Sequence, residues 1–362
     1  MKSHHSIIID DARRLKNIDN ESVELIVTSP PYPMIEMWDD VFTKLNPSIG
    51  EALTDNNGLK TFELMHRELD KTWKECYRVL KPGCIACINI GDAVRTINKN
   101  FQLYSNHTRI INTMRDTGFT QLPDILWRKQ TNAPNKFMGS GMLPACAYVT
   151  YEHEYILIFR KGEKREFING DNKDMRRKSA FFWAERNIWF SDIWTDLKGA
   201  SQNLCDKSAR TRSAAYPFEL AYRLICMHTI YGDTILDPFL GTGTSTAAAI
   251  TSCRNSIGID IDMDISTTIH NTIQSSLKTG RKHLFDRLSN QEKFISARSE
   301  SGKKIKYMNK NHNTGIVTSQ ETDIMIYAPK KIAPLPGHKY DVEYEFVQQD
   351  LRHKNVQLPI PF

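Results

Sequence analysis

The sequence lacks the features that mark exported, membrane-embedded and metal-stabilised proteins. No apolar run is long enough to cross a bilayer, and the apolar stretch after residues 1–5 is too short for a secretion signal. The seven cysteines are an odd number and form no disulfide framework, which is typical of a reducing compartment. Cys84 and Cys87 make one Cys-x-x-Cys without the second pair that a zinc site needs. We therefore expect a cytoplasmic protein with no membrane association and no bound metal.

Composition excludes little more, but the order of predicted elements points to a fold class. The 362 residues, 40% of them hydrophobic, can bury a full core, and the formal net charge of +6 permits a polyanionic partner without requiring one. Strands are predicted at 7–9, 23–27, 84–90, 124–128, 155–159, 234–236 and 256–259. Helices are predicted at 61–80, 104–117, 217–228 and 244–252, with a loop-rich insertion over 33–62. This alternation favours a doubly wound, mainly parallel α/β sheet.

Two common nucleotide-binding fingerprints are missing, and a different Gly-rich turn is present. Gly-x-Gly-x-x-Gly is incomplete because position 246 is Thr, and no Gly-Lys-Ser/Thr occurs. The turn that is present follows an apolar run and consists of Asp237, Pro238, Phe239, Gly241, Gly243 and Thr244. Glycines before a helix allow close backbone approach to a nucleoside cofactor, and Asp260 at the end of the next strand could accept from both ribose hydroxyls. The alternative is a structural turn with a surface Asp.

Ser29-Pro30-Pro31-Tyr32 follows the strand predicted at 23–27. The lone pair of a nucleobase amino group is delocalised into the ring, so a site that methylates it must hold the N–H hydrogens with acceptors. The Ser29 hydroxyl and the Pro30 carbonyl can provide them, because Pro30-Pro31 fixes an extended backbone. The Tyr32 ring can stack on a base that has left the duplex. The alternative is a Pro-Pro turn with an aromatic lid.

In this order, the two motifs resemble those of the DNA amino-methyltransferases in their β-type arrangement, in which the catalytic motif precedes the cofactor motif. The resemblance covers about residues 6–275. It implies a Rossmann-like fold, S-adenosyl-L-methionine (SAM) as cofactor, and base flipping in double-stranded DNA. It assigns catalysis to Ser29, Pro30, Pro31 and Tyr32 and cofactor binding to the Asp237 turn and Asp260. It also implies a prokaryotic enzyme, a monomer or homodimer, with a cognate restriction endonuclease as functional partner.

Further segments extend the resemblance to the cofactor. Asp11 resembles the acid that contacts the adenine of SAM, although the acid is doubled as Asp10-Asp11 and either can be the contact. Tyr216 and Phe218 lie in a segment that resembles the one packing on the methionine end. The runs 126–129 and 155–161 resemble paired strands bordering the DNA cleft, which makes Arg128 and Lys129 candidate DNA contacts.

The first residue of the tetrapeptide bears on the target base. Family members with Ser there usually methylate cytosine at N4, and those with Asp or Asn usually methylate adenine at N6, so cytosine N4 is expected and adenine N6 is the alternative. Methylation at carbon 5 of cytosine needs a Pro-Cys nucleophile, and here Pro144 is followed by Ala145. A catalytically silent DNA-binding relative and an RNA or small-molecule methyltransferase are further alternatives.

The resemblance divides the chain into four parts. Residues 1–160 are the expected catalytic half, 161–213 a candidate target-recognition insertion, 214–277 the SAM-binding half and 278–362 a basic C-terminal extension. Residues 278–310 hold ten Lys/Arg against three Asp/Glu, an excess of 10 − 3 = +7, and strand-like runs at 324–327 and 342–346 suggest a small β element.

The candidate recognition region combines cationic and aromatic residues. Arg176, Arg177, Lys178 and Arg186 are candidate DNA contacts. The alternatives are an ordinary solvated surface for the basic cluster and core packing for Trp189 and Trp194.

Overall fold

The computed structural model describes residues 1–129, 138–168, 170–199 and 216–348. The larger strands there are Lys2–Ile9 (β1), Val23–Thr28 (β2), Leu80–Ile90 (β3), Ala93–Ile97 (β4), Asn100–Tyr104 (β5), Phe119–Gln121 (β6), Ile125–Arg128 (β7), His153–Lys161 (β10), Thr234–Asp237 (β12), Asn255–Asp260 (β13), Tyr327–Leu335 (β16) and Lys339–Phe346 (β17). Two-residue strands are Met138–Gly139 (β8), Ala147–Tyr148 (β9), Ile193–Trp194 (β11), Tyr307–Met308 (β14) and Gly315–Ile316 (β15). The α-helices are Asp39–Leu45 (α1), Pro47–Thr54 (α2), Gly58–Val79 (α3), Asn106–Thr117 (α4), Gly170–Lys178 (α5), Trp183–Trp189 (α6), Phe218–His228 (α7), Thr244–Thr251 (α8) and Ser266–Glu300 (α9).

The main sheet is parallel at its centre and mixed towards its sides. Within the described residues its strand order is β11-β7-β10-β3-β2-β12-β13-β1-β17-β16, with β6 pairing β10. The five strands from β3 to β1 in this order are parallel to one another. β10 and β17 flank them in antiparallel pairing. The predicted α/β fold is confirmed, and the added antiparallel strands make the sheet mixed rather than mainly parallel.

Helices cover both faces of this sheet, as a doubly wound fold requires. Along β2, Leu25 and Val27 belong to one buried cluster and Ile26 to another, because successive side chains of a strand point to opposite faces. The first cluster contains apolar residues of α7 and α9, and the second contains those of α3 and α4. On β3, Cys84 and Cys87 likewise fall into different clusters, as their odd spacing predicts.

The prediction of a loop-rich insertion over 33–62 is wrong. The segment contains α1, α2 and the start of α3. Asn46 caps α2 by accepting from the Ser48 N–H, and Pro47 occupies the first turn, where a missing N–H costs nothing. Asn57 caps α3 through the Lys60 N–H, just before Gly58. Asn, Pro and Gly are common in loops, but Asn46-Pro47 and Asn57-Gly58 mark helix starts here.

The predicted extension at 278 begins inside a helix, since α9 runs unbroken from Ser266 to Glu300. Its buried positions recur every three or four residues and are Ile269, Ile273, Ser276, Gly280, Leu284, Leu288 and Gln291. Three of these are small or polar, so the apolar period that marks a helix is interrupted. Of the two strands expected near the end of the chain, 342–346 lies within β17, whereas 324–326 is not a strand and β16 begins only at Tyr327. β16 and β17 form a hairpin. Because β17 pairs with β1, this hairpin extends the main sheet instead of forming a separate unit.

The strand order places the functional motifs at one edge. β2 leads to β3 on one side and β12 leads to β13 on the other, so the direction of winding reverses between β2 and β12. Ligands of open α/β sheets bind outside the carboxyl ends of the strands at such a switch point. Ser29 follows β2, and Asp237 ends β12. Among the described helices, none combines the length and the apolar character needed to cross a membrane.

Candidate active site

A cavity of about 350 Å³ opens at the carboxyl edge of the parallel strands. Its wall comes from the segments that follow β1, β2, β12 and β13, together with α1. The volume lies within the range usual for ligand pockets. The predicted site residues that line it are Asp11, Ser29, Pro30, Pro31, Tyr32, Tyr216, Pro238, Phe239, Gly241, Thr244 and Asp260. Both sequence motifs thus contribute to one wall.

Asp237 holds the two motifs together. Its Oδ1 accepts from the Thr28 hydroxyl at 2.7 Å and from the Phe239 N–H at 3.1 Å. Its Oδ2 accepts from the hydroxyls of Ser245 at 2.6 Å and Tyr216 at 3.1 Å. Burial raises the pKa of Asp237, and these hydrogen bonds counteract it only in part. Asp237 does not line the cavity and both its oxygens accept from protein donors, so it organises the turn, and its contact with a cofactor stays a prediction.

The Gly-rich turn connects to the next strand through Asp260. Gly241 and Gly243 have φ values of +56° and +87°, a region that side-chain-bearing residues rarely adopt. The Gly241 N–H donates to Asp260 Oδ2 at 2.8 Å, and the Asp262 N–H donates to Oδ1 at 3.0 Å. Gly241 lines the cavity, whereas Gly243 is the N-cap of α8 and does not. Burial raises the pKa of Asp260 to about 6 against the effect of these two backbone donors.

Both members of the doubled acid lie in the cavity wall, but their side chains are engaged differently. The Asp11 carboxylate accepts from the Arg13 guanidinium at 2.6 and 2.9 Å, and Arg13 also pairs with Glu68. Burial acts to raise the pKa of Asp11, but the hydrogen bonds and charge of Arg13 outweigh it and lower that pKa. The exposed Asp10 accepts the Asp11 N–H at 2.7 Å. Asp11 is thus fixed by a neighbouring cation, and Asp10 is the freer carboxylate.

A polar cluster surrounds the Tyr32 hydroxyl. That hydroxyl donates to Glu154 Oε2 at 2.9 Å and accepts from Ser29 Oγ at 3.1 Å and Asn89 Nδ2 at 2.8 Å. Asn89 Nδ2 also donates to Glu154 Oε2 at 2.7 Å, and Lys129 Nζ donates to Oε1 at 2.7 Å. Burial and the nearby Glu154 charge raise the pKa of Tyr32 well above its usual value. The hydroxyl therefore stays protonated.

Gly91 makes room for the tyrosine ring. A Cβ at this position would lie 3.0 Å from Tyr32 Cε2 and 3.4 Å from Glu154 Cγ. The Tyr32 ring therefore packs against the residue that follows β3, and Tyr32 also lines the cavity.

The two residues expected at the methionine end of the cofactor occupy different places. Tyr216 lines the cavity and donates to Asp237. Phe218 is absent from the cavity lining, and its ring stacks on Tyr222 at 5.8 Å and meets His283 edge-on at 5.2 Å. Tyr216 thus lies in the cavity wall and Phe218 packs between α7 and α9, and cofactor contact by either residue stays a prediction.

Comparison with known proteins agrees with this geometry. Residues 23–271 match the model of the N6/N4 DNA methylase family. Type II methyltransferase M.MthZI of Methanothermobacter thermautotrophicus is 49% identical over 355 residues, which cover 98% of either chain. The chain belongs to the N6/N4 DNA methylase family. Type II methyltransferase M.MjaI of Methanocaldococcus jannaschii is 48% identical over 282 residues, 75% of this chain and 91% of that one.

A solved relative has a similar structure. The putative DNA modification methylase TTHA0409 of Thermus thermophilus, crystallised in complex with SAM, aligns with a TM-score of 0.58 at 28% identity. The alignment covers 75% of this methylase and 95% of that chain.

The predicted DNA contacts of the methylase separate into two groups. Arg128 and Lys129 lie at the carboxyl edge, because Arg128 pairs with His153 at the start of β10, beside the end of β3. The Arg128 side chain is 58% exposed and lies 3.6 Å from Glu152. Lys129 is engaged by Glu154. Arg128 is therefore the candidate that remains available to a phosphate on the side of the cavity.

The α5 basic cluster, Arg176, Arg177 and Lys178, lies at the opposite edge of the sheet. The Arg176 and Arg165 guanidinium groups lie 4.7 and 4.9 Å from the centroid of the Phe167 ring. Arg165 pairs with Asp233, which directly precedes β12 and so marks the amino edge. This placement argues against contact between the cluster and DNA next to the target base. Arg186 is exposed on α6, which leads into the amino end of β11.

Three aromatic residues of the expected recognition region, Phe182, Trp189 and Trp194, are packing residues. Trp189 and Trp194 are 4% and 1% exposed, and Phe182 is fully buried. The Trp194 indole donates to the Trp189 carbonyl at 3.1 Å, and Trp183 packs on Phe294 of α9. These side chains join α6 to the core and are unavailable to fill a gap in DNA. Residues 200–213 of the same region lie outside the described residues.

Three kinds of site residue escaped sequence reasoning. Asn89 and Glu154 come from the carboxyl end of β3 and the start of β10, which pair with each other, and carry no local motif. Arg13 pairs with Asp11 from the same turn, and Glu68 of α3 pairs with Arg13. α1 and the turn before it contribute Met37, Trp38, Asp40, Val41, Phe42, Lys44 and Leu45 to the cavity wall. Asn46 and Asn57 cap α2 and α3, but α1 has no side-chain N-cap, so a search for helix caps would not have found this last group.

Proposed function

We propose that this methylase transfers the methyl group of SAM to the exocyclic N4 of cytosine in duplex DNA, after the base has flipped out of the helix. The observation that carries the proposal is the position of Ser29 and Tyr32 in the same cavity wall as the Gly241 turn and Asp260. A target amino group and a nucleoside cofactor can therefore meet in one pocket.

The cofactor is SAM, and the cavity suits its charge. SAM carries a cationic sulfonium and a cationic amino group, and it supplies the methyl group as an electrophile. The lining contains seven acidic residues, Asp10, Asp11, Asp40, Glu68, Asp260, Asp262 and Asp264, against two basic ones, Arg13 and Lys44. Open space at the Cα of Gly241, where an added Cβ would meet no atom within 4 Å, allows close approach to the turn.

The chemical role of the chain is to hold and orient the amino group. The Ser29 hydroxyl and the Pro30 carbonyl accept its N–H hydrogens, which makes the nitrogen more tetrahedral and directs its lone pair at the methyl group. Tyr32 offers a ring face for stacking, a contact that contributes about 1–3 kcal/mol per base in comparable sites. Ser29 and Pro30 line the same cavity as the Gly241 turn. The proximity and orientation of the amino group and the methyl group therefore account for much of the expected rate.

Cytosine N4 is proposed over adenine N6 because the acceptor is Ser29 rather than Asp or Asn. Incubation with SAM carrying a labelled methyl group and duplex DNA, followed by digestion to nucleosides, separates the two. Label in N4-methylcytosine supports the proposal, and label in N6-methyladenine contradicts the base assignment alone. Absence of label in either, with SAM bound, would support a catalytically silent relative.

A variant tests the role of the acceptor. Ser29→Ala should lower the single-turnover rate of methyl transfer while leaving SAM affinity unchanged, because the hydroxyl faces the base and not the cofactor. Equal losses in rate and in SAM affinity would contradict this division.

We also propose that the methylase protects DNA against a cognate restriction endonuclease in a prokaryotic cytoplasm. Sequencing the methylome of a host that expresses the gene would report the modified base and the recognition site together. A chromosome without added methylation would contradict this role.

A further inference from the structure

The cluster around Tyr32 has a fixed direction of hydrogen bonding. A carboxylate only accepts, so the Tyr32 hydroxyl must donate its single proton to Glu154 Oε2. The Tyr32 oxygen is then an acceptor, and Ser29 Oγ donates to it at 3.1 Å. The Ser29 proton is thereby committed away from the cavity, and the Ser29 lone pairs remain for a ligand.

The residues that hold this chain of hydrogen bonds in place are buried and lie on separate strands. Glu154 is 8% exposed at the start of β10, and Asn89 is 2% exposed on β3. Asn89 Nδ2 donates to both Tyr32 and Glu154, so it reinforces the same direction. Lys129 Nζ donates to the second oxygen of Glu154 at 2.7 Å, and its charge compensates the buried carboxylate. Both oxygens of Glu154 are therefore required as acceptors.

We propose that Glu154 is a positioning residue that sets the polarity of Ser29, acting through the Tyr32 hydroxyl. The inference rests on the proposed function, in which Ser29 must accept from the target amino group. A free Ser hydroxyl can donate or accept, and only the accepting orientation holds an amino N–H. Glu154 fixes the accepting orientation of Ser29 before the base binds.

Glu154→Gln is the sharpest perturbation, because it keeps the shape and removes one acceptor. A Gln side chain has one oxygen and one NH₂ group, and Lys129 can only donate. The Gln oxygen is expected to face Lys129 and its NH₂ to face Tyr32. The Tyr32 hydroxyl then accepts from Gln and donates to Ser29, which reverses the chain.

The experiment measures single-turnover methyl transfer at saturating SAM and DNA, with SAM affinity by calorimetry. Glu154→Gln should slow transfer about ten- to hundredfold, the effect of losing one charge-assisted hydrogen bond, with SAM affinity unchanged. Adding Lys129→Met lets the Gln oxygen turn to Tyr32 and should recover much of the rate. Glu343→Gln, which neutralises an exposed carboxylate of β17 that pairs with Lys2, away from the cavity, is the control and should transfer at the wild-type rate.

A double variant with Tyr32→Phe decides the question even if Glu154→Gln also lowers thermal stability. Tyr32→Phe breaks the chain at its centre, so Glu154→Gln should add no further slowing in that background. Slowing that multiplies in the double variant, or no recovery with Lys129→Met, would overturn the inference and leave Glu154 a packing residue. Failure of the wild-type enzyme to methylate DNA would instead overturn the proposed function, which the wild-type arm reports separately.

Discussion

Asp260 brings opposing effects together in one side chain. Two backbone N–H groups donate to its carboxylate, while burial raises its pKa to about 6, above the value near 3.9 of an unfolded chain. A carboxyl group with a raised folded pKa contributes stability that is complete below the unfolded pKa and is lost as pH rises through about 6. The ionised form that results is the one we propose to accept from the two ribose hydroxyls of SAM.

SAM affinity should therefore rise as pH increases through 6. Ribose hydroxyls donate to the ionised carboxylate better than to the neutral acid, so binding and ionisation are linked. Calorimetric titrations between pH 5 and 7.5 measure the slope of SAM affinity against pH. Asp260→Asn should flatten this slope and weaken SAM binding by about 1–3 kcal/mol at the highest pH. A slope that persists in Asp260→Asn would assign the titration to another group.

At the level of residues, sequence reveals candidate site residues where they are contiguous in the chain. Ser29 and Tyr32 stand three positions apart, and the Gly241 turn stands beside its strand, so local motifs reveal them. Glu154 escaped because its role depends on the register that places Tyr155 opposite Ile90. Such pairing between distant strands leaves no trace in the composition of either one.

The strand-to-helix turn after β12 gives its two glycines different functions. Gly241 lines the cavity and has open space where a Cβ would stand, while a Cβ on Gly243 would lie 3.3 Å from Ile269 Cγ2. Substitution of either costs about 1–2 kcal/mol of backbone strain, because each residue has a positive φ. The first glycine thus governs ligand space and the second governs packing of the helix.

Gly241→Ala should weaken SAM binding by tenfold or more with only a small drop in melting temperature. Gly243→Val should lower the melting temperature much further, because its branched side chain strains the turn and meets Ile269. Calorimetry and thermal unfolding of the two variants separate the effects. A Gly243→Val protein as stable as Gly241→Ala would contradict this division.

α9 approaches α8 closely at Gly280. A Cβ there would lie 2.4 Å from Thr251 Oγ1, so Gly280→Ala should destabilise the protein even though Ala is favoured over Gly inside helices by about 1 kcal/mol. Thermal unfolding measures the change, and adding Thr251→Ala should remove most of it by clearing the hydroxyl and methyl groups. Stabilisation by Gly280→Ala alone would mean that the helices separate without cost.

At the level of elements, sequence analysis did not predict the extent of α9. Helices α3, α4 and α7 present regular apolar faces and were predicted. Small and polar residues such as Ser276, Gly280 and Gln291 interrupt the face of α9, since close packing replaces apolar area there. A basic composition then suggested a separate tail.

At the scale of the whole molecule, the cavity opens on one edge of the sheet, so duplex DNA must approach that edge. The net charge of +6 gives a general attraction but does not choose a face. Arg128 lies on the cavity side, and the α5 basic cluster lies at the amino edge beside Asp233. We therefore expect the position of a cation, more than local charge density, to decide whether it contacts a phosphate.

Salt titrations of DNA binding should distinguish the two groups. Arg128→Gln should reduce the slope of log K against log salt by about 0.9, the loss of one phosphate contact. Replacing Arg176, Arg177 and Lys178 together by Gln should leave the slope near the wild-type value. A slope reduced by two or more units in the triple variant would return the cluster to the DNA interface.

β1 lies between β13 and β17 in the sheet, with His5 opposite both Ser256 and Tyr340. Ribosomes add about 5–20 residues per second, so roughly 10–50 s separate the synthesis of β1 from that of its first partner strand. During that interval the backbone N–H and C=O groups of β1 have no partner strand. The unpaired strand can associate with other nascent chains on the same mRNA. Translation speed and chaperone supply are therefore expected to govern how much active methylase a cell obtains.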